Sequence, residues 1–120
     1  MTNCRIAISV ESDDGLDAQV AAHFGRCAYF TVVDVEDGEI VETRSVENPY
    51  YASHQPGEVP AFIASLDTGV MLSGGMGGRA AQVFARLGVE AITGAAGTAR
   101  EAIEAYLSDS LSGAEPCQHH

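Results

Sequence analysis

Four histidines and three cysteines are the residues of this 120-residue chain that suit a transition metal. A neutral imidazole is a common metal ligand, and a thiolate suits soft metals such as copper(I), zinc or iron with sulfide. His23 opens the run His23-Phe24-Gly25-Arg26, and Cys27 follows it directly. Cys27 reads as a ligand or as a small buried hydrophobe at the start of a strand. His54 stands in a polar stretch with prolines and tyrosines, where a solvated imidazole is the plain alternative to a ligand. Cys117, His119 and His120 form a compact thiol–imidazole set, read as a metal-binding tail or as a simple polar terminus. Cys4 opens the first strand and is expected to be structural. An odd, sparse cysteine count points to reduced thiols rather than a disulfide framework.

A second kind of chemistry lies in a glycine loop. Gly74, Gly75, Gly77 and Gly78 surround Met76 and lead into Arg79 and a helix. Such a loop allows close backbone approach, and free amides at a helix start attract an anion. A tetrathiometalate or a sulfide-rich cluster is an anion. The same residues also make a tight strand-to-helix turn, which is expected to need a residue at positive φ. No Gly-Lys-Ser/Thr follows, so this is not a phosphate-binding Walker loop. Arg26 and Arg79 could balance a cluster's charge or pair with carboxylates. Asp13, Asp14 and Asp17 read as a solvated acidic turn rather than a hard-metal site.

The elements that must position these residues follow from periodicity. Strands are expected at 5–10, 27–35, 39–46, 69–72 and 89–93, with a short helix at 17–22 and helices at 58–65, 79–87 and 99–107. Asp37-Gly38 is a two-residue hairpin signal, and Thr98 with Glu101 fits a capping box. In the helix at 79–87, Ala80, Val83, Phe84 and Leu87 form the expected buried stripe. Strand–helix–strand units imply parallel strands, and the hairpin adds an antiparallel member. The chain should therefore form an α/β domain over residues 1–108, a mixed five-stranded sheet flanked by helices, with a polar tail over 109–120. In that topology His23, His54 and both glycine turns leave the same edge, where ligands bind in open α/β sheets.

The net charge of −11, with six arginines and no lysine, opposes binding to a phosphate backbone. No apolar stretch is long enough to span a membrane, and no signal peptide is evident, so a cytoplasmic location is expected.

Four motifs occur in a specific order: His23-Phe24-Gly25-Arg26, Glu47-Asn48-Pro49, Gly74-Gly75-Met76-Gly77-Gly78-Arg79-Ala80, and Gly94-Ala95-Ala96-Gly97-Thr98. In this the chain resembles the dinitrogenase iron-molybdenum cofactor biosynthesis family of NifX/NafY-like proteins. That group includes the orange protein, which carries a mixed molybdenum–copper sulfide cluster. The resemblance spans about residues 5–107 and implies a ribonuclease H-like fold with sheet order 3-2-1-4-5. It implies binding rather than turnover, with the histidine of the His-Phe-Gly motif, here His23, associated with holding the cluster.

The expected function is therefore to bind or carry an iron–molybdenum or molybdenum–copper type cluster in cofactor biosynthesis or cluster handling. The chain would not be an enzyme. Its partners would be the cluster or a metal ion and cluster donor or acceptor proteins, with no nucleic acid and no membrane. The cofactor-contacting residues would come from the 23–26 motif and from Gly74, Gly75, Gly77, Gly78 and Arg79. Candidate metal ligands are His23, Cys27, His54, Cys117, His119 and His120. A metal-free partner-binding module is one alternative. A ribonuclease H-like nuclease is another, disfavoured because the first strand has no mid-strand carboxylate to hold catalytic metal ions.

Overall fold

Strand β1 (Asn3–Val10) is buried on both faces, and that dictates a three-layer arrangement. The computed structural model describes residues 3–24, 27–49 and 58–108. After β1 and a 3-10 turn at Gly15–Asp17 come β2 (Tyr29–Glu36), β3 (Glu39–Glu47), α1 (Glu58–Ser65), β4 (Val70–Leu72), α2 (Gly78–Leu87), β5 (Glu90–Ile92) and α3 (Ala99–Leu107). The five strands form one sheet in the order β3-β2-β1-β4-β5, as expected. Strands β1, β4 and β5 are parallel, whereas β2 is antiparallel to both β1 and β3.

Alternation along the strands sends residues to two cores. Ile6, Ile8 and Val10 join Val33, Leu72 and Ile92 against Ala99, Ala102, Ile103 and Tyr106 of α3. Ala7, Phe30, Val32 and Met71 face the other way, against Val59 and Ile63 of α1 and Phe84 of α2. The hairpin between β2 and β3 turns at Asp37 and Gly38, with φ of 54° and 84°, the paired left-handed residues that a two-residue turn of this type requires. Thr98 and Glu101 cap α3 reciprocally.

Three expectations are corrected. The 17–22 segment is not a helix: after the 3-10 turn it runs extended, bridging Val20 to Val10 and Gln19 to Thr98. Its amides go to distant carbonyls, Val20 N–H to Gly97 O at 2.9 Å and Ala21 N–H to Ser9 O at 2.8 Å, so tertiary pairing overrides local propensity. Leu87 is 44% exposed, because the short α2 reaches the core chiefly through Phe84. Cys4 is held in a disulfide, so the thiols are not all reduced; Cys27 is buried and outside any disulfide. A feature with no counterpart in the sequence reading is the register shift of the β2–β3 ladder between Asp34 and Val35, which leaves Val41 as a bulge that is 55% exposed.

Arg5 ties three elements together at the end of the sheet where β1 begins. Its Nε donates to Asp34 Oδ1 at 2.7 Å, Nη2 to Oδ2 at 3.3 Å, and Nη1 to the Leu66 carbonyl beyond α1 at 2.7 Å. The guanidinium holds the Asp34 carboxyl below its ordinary value of 3.8, through the hydrogen bond first, with burial opposing it. A carboxyl lowered in the folded state stabilises above its unfolded value, and that stability is lost as pH falls through the folded value. We expect Arg5→Met to cost about 1–2 kcal/mol at neutral pH, reduced from a buried pair by partial solvent screening. Asp34→Asn should flatten the acid limb of the stability profile. Urea titrations at successive acidic pH values check both, and an Asp34→Asn protein with an unchanged acid limb would refute the linkage.

Candidate functional site

Past the carboxyl ends of β1, β4 and β5, three loops are joined by backbone hydrogen bonds. Ala21 N–H bonds the end of β1 at Ser9 O, and Gly74 N–H bonds Ala21 O at 3.3 Å. Phe24 N–H bonds Gly75 O at 2.8 Å, and Gly94 N–H bonds Gly74 O at 3.1 Å. The His23 loop, the first glycine loop and the second glycine turn thus share one edge. The chain leaves β1 toward β2 and leaves β4 toward β5, so β1 and β4 flank the point where the connections diverge. That is the crevice position for ligands in open α/β sheets.

His23 is exposed, whereas Phe24 beside it is half-buried and anchors the loop. The Phe24 ring meets Phe84 of α2 edge-on at 5.2 Å and Phe30 of β2 at 6.2 Å. The aromatic residue fixes the loop into the core while the imidazole stays in solvent. The structure places Phe24 as a support for His23.

The expected positive φ in the glycine loop is absent: Gly74, Gly75, Gly77 and Gly78 all lie outside the left-handed region. Their requirement is steric. A Cβ on Gly74 would stand 2.8 Å from Ala21 O and 3.1 Å from Ala22 Cα, and one on Gly75 would stand 3.0 Å from Ala22 O and 3.8 Å from His23 Nδ1. These two glycines let the loops touch backbone to backbone. Gly77 and Gly78 differ, since a Cβ at either would meet nothing within 4 Å. Gly77 caps α2 without a side-chain hydrogen bond, and the first turn of α2 carries no acidic residue. Arg79 is exposed on that turn. Helix-start amides without a side-chain cap, with a cation beside them, favour an anion.

Cys27 lies in the core, 1% exposed, with its carbonyl accepting from Asn48 Nδ2 at 2.9 Å. It is therefore close in sequence to His23 but does not share its exposure. Gly25, Arg26, His54, Cys117, His119 and His120 lie outside the described residues. Among the described residues no group of three or more His, Cys, Asp or Glu is arranged to hold a metal ion.

Two serines escaped the reading of the sequence. Ser73 is fully buried and joins the loops: its N–H bonds Ile92 O at 3.0 Å, its carbonyl accepts from Ala95, and its Oγ bonds Gly75 O at 2.8 Å. Ser9 is also fully buried, and its Oγ has no partner among the described residues. Ser73 ends the buried apolar run Val70-Met71-Leu72, whereas Ser9 stands inside the buried run from Ile6 to Val10. A single serine in or directly after such a run was the available signal.

Known proteins can be set against this geometry. The family model described as dinitrogenase iron-molybdenum cofactor matches residues 4–109. This chain belongs to that family. The orange protein of Desulfovibrio gigas, in its apo form, shares the family fold with a TM-score of 0.81 at 30% identity, covering 96% of each chain. The crystal structure of PH0822 gives a TM-score of 0.81 at 35% identity, covering 90% of this chain and 94% of that one. An uncharacterised protein of Methanocaldococcus jannaschii is 28% identical over 109 residues, which is 89% of this chain and 88% of that protein.

The glycines of this dinitrogenase iron-molybdenum cofactor domain should separate by substitution. We expect Gly74→Ala to destabilise by about 1–3 kcal/mol, because the backbone of Ala21 and Ala22 has to move away. Gly78→Ala should be neutral or stabilise by up to about 1 kcal/mol, since it gains helix propensity in open space. Thermal melts of the two variants decide this. Equal losses at both positions would show that the loop is uniformly strained instead.

Proposed function

We propose that this protein binds and carries an anionic metal–sulfur cluster, of iron–molybdenum or molybdenum–copper type, on the edge built from the His23 loop and the start of α2. The cluster is cargo, taken from a donor protein and passed to an acceptor in cofactor biosynthesis or cluster handling. The observation that carries this reading is the hydrogen-bonded junction of the two loops. It sets an exposed imidazole beside a glycine loop leading to a helix start with no acidic first turn.

A preassembled cluster suits this edge better than a bare ion. A protein-bound zinc or copper ion takes three or four protein ligands. Among the described residues His23 is the exposed metal-ligating side chain on the edge, with no such set around it. A cluster brings its own sulfides and needs from the protein only an anchor and charge balance. His23 supplies the anchor, the amides of α2 and Arg79 supply the balance, and Gly77 and Gly78 leave room for close approach. Arg26 and His54 are further candidate contacts.

The sheet is read as a ribonuclease H-like scaffold put to use for binding. The mid-strand residues of β1 are Ile6, Ala7 and Ile8, so β1 offers no carboxylate for that fold's metal-dependent cleavage. That the orange protein has an apo form fits a protein that is loaded and unloaded.

Anaerobic reconstitution with copper and tetrathiomolybdate should give a visible chromophore of fixed stoichiometry. His23→Ala should weaken uptake by about 10–100-fold, as loss of a metal-orienting group does, with an unchanged melting temperature. Gly78→Val should lower uptake in a protein that stays folded, because its side chain fills the space before the amides. Full loading of His23→Ala would remove the imidazole from the site, and no uptake by wild type of this or of an iron–molybdenum cluster would sink the reading.

A further inference from the structure

Among the described residues β3 pairs only with β2, and its outer edge is the end of the sheet. We propose that a second copy of this chain adds to that edge, β3 against β3, to form a two-fold dimer with a continuous ten-stranded sheet.

The argument is one of register and charge. In an antiparallel pair, residues that stand opposite each other point to the same face. A two-fold axis perpendicular to the sheet must therefore pass through a residue, which faces its own copy. With the axis at Thr43, Glu42 of each chain stands opposite Arg44 of the other. Shifting the centre one residue to Glu42 or Arg44 would set like charges face to face. Charged residues on an edge strand usually block pairing. Here the register centred on Thr43 is the one that sets Glu42 opposite Arg44.

Across the sheet Glu42 stands opposite Asp34, shares a side-chain hydrogen bond with it, and lies in the field of Arg5. Asp34 and Arg5 pair at 2.7 Å. Arg44 lies two residues on, on the same face as Glu42, and both side chains are exposed. In the dimer, Arg44 of the second copy neutralises Glu42 from the open side. Thr43 pairs with its own copy on the opposite face, and the 55% exposed Val41 gains cover opposite Ser45. The bulge at Val41 limits the pairing to a short central stretch, so the dimer is a reversible one. Its geometry points the two His23 edges in opposite directions, so the sites stay separate and the proposal is independent of what they bind.

Sedimentation velocity over a concentration series at physiological ionic strength tests this, with far-UV circular dichroism confirming that each protein is folded. Wild type should show a concentration-dependent dimer. Glu42→Arg and Arg44→Glu should each weaken it by about tenfold or more, because each opposes like charges. An equimolar mixture of the two should restore dimerisation, since every opposed pair then joins opposite signs. Arg44→Gln serves as a milder variant that introduces no opposing charge, and it should weaken the dimer less than Arg44→Glu. A wild type that stays monomeric to about 1 mM overturns the proposal, including the case in which another segment of this chain covers the edge. A dimer indifferent to both substitutions, or a mixture no tighter than its components, overturns it as well.

Discussion

The contact between the Ala21–Ala22 backbone and Gly74 is the constraint on which the functional edge depends. Two loops that leave different strands can be hydrogen-bonded amide to carbonyl only if no side chain separates them. The 2.8 Å approach that a Cβ at Gly74 would make to Ala21 O shows how little space remains. Once the loops touch, Phe24 N–H reaches Gly75 O, the Phe24 ring drops onto Phe84 and Phe30, and His23 is left facing solvent. Ser73 completes the junction from below by linking the first glycine loop to β5 and to the second glycine turn. Position at the edge is thus inherited from backbone packing rather than from side-chain networks, which suits a site whose own polar groups must remain available.

The parts of this architecture that local chemistry determines were legible in the sequence. The Asp37-Gly38 turn, the Thr98–Glu101 cap and the mixed five-stranded sheet follow from turn residues, capping and the alternation of strand and helix patterns, whereas the strand order was implied by the family resemblance. So does the convergence of His23 with the glycine loops, because it depends only on strand direction. What failed depends on partners far away in the chain. The 17–22 segment has helical composition, yet its amides are taken by Ser9 and Gly97. The glycine loop was expected to allow close approach and to need a positive φ; the positive φ is absent, and the close approach is made at Gly74 and Gly75 by Ala21 and Ala22, neighbours that the 74–78 run does not reveal. The bulge at Val41 arises from matching β3 to β2, and no residue of β3 alone specifies it. The disulfide at Cys4 likewise depends on distance in space rather than on cysteine count.

A net charge of −11 would appear to exclude an anionic cargo, and the arrangement of the charges explains why it need not. At physiological ionic strength the screening length is about 8 Å, so carboxylates further away contribute little at an exposed site. Asp34, Glu36, Glu42 and Asp67 line a cleft of about 360 Å³ beside Cys4 and Arg5, where β1 begins, at the opposite end of the sheet from the loops. The acidic turn at 13–17 packs toward β3 and α3, whereas the His23 loop is anchored on the α1 and α2 side. Near the candidate site the nearest fixed positive potential is local: the α2 amides and Arg79. Under the proposed function this balance has a consequence for exchange. A strongly basic pocket would hold an anionic cluster too tightly to hand it on. A short-range positive spot on an otherwise repulsive surface holds it only while imidazole and amides are in contact. Once the cluster moves a few ångströms toward an acceptor, the field of the whole molecule drives it outward.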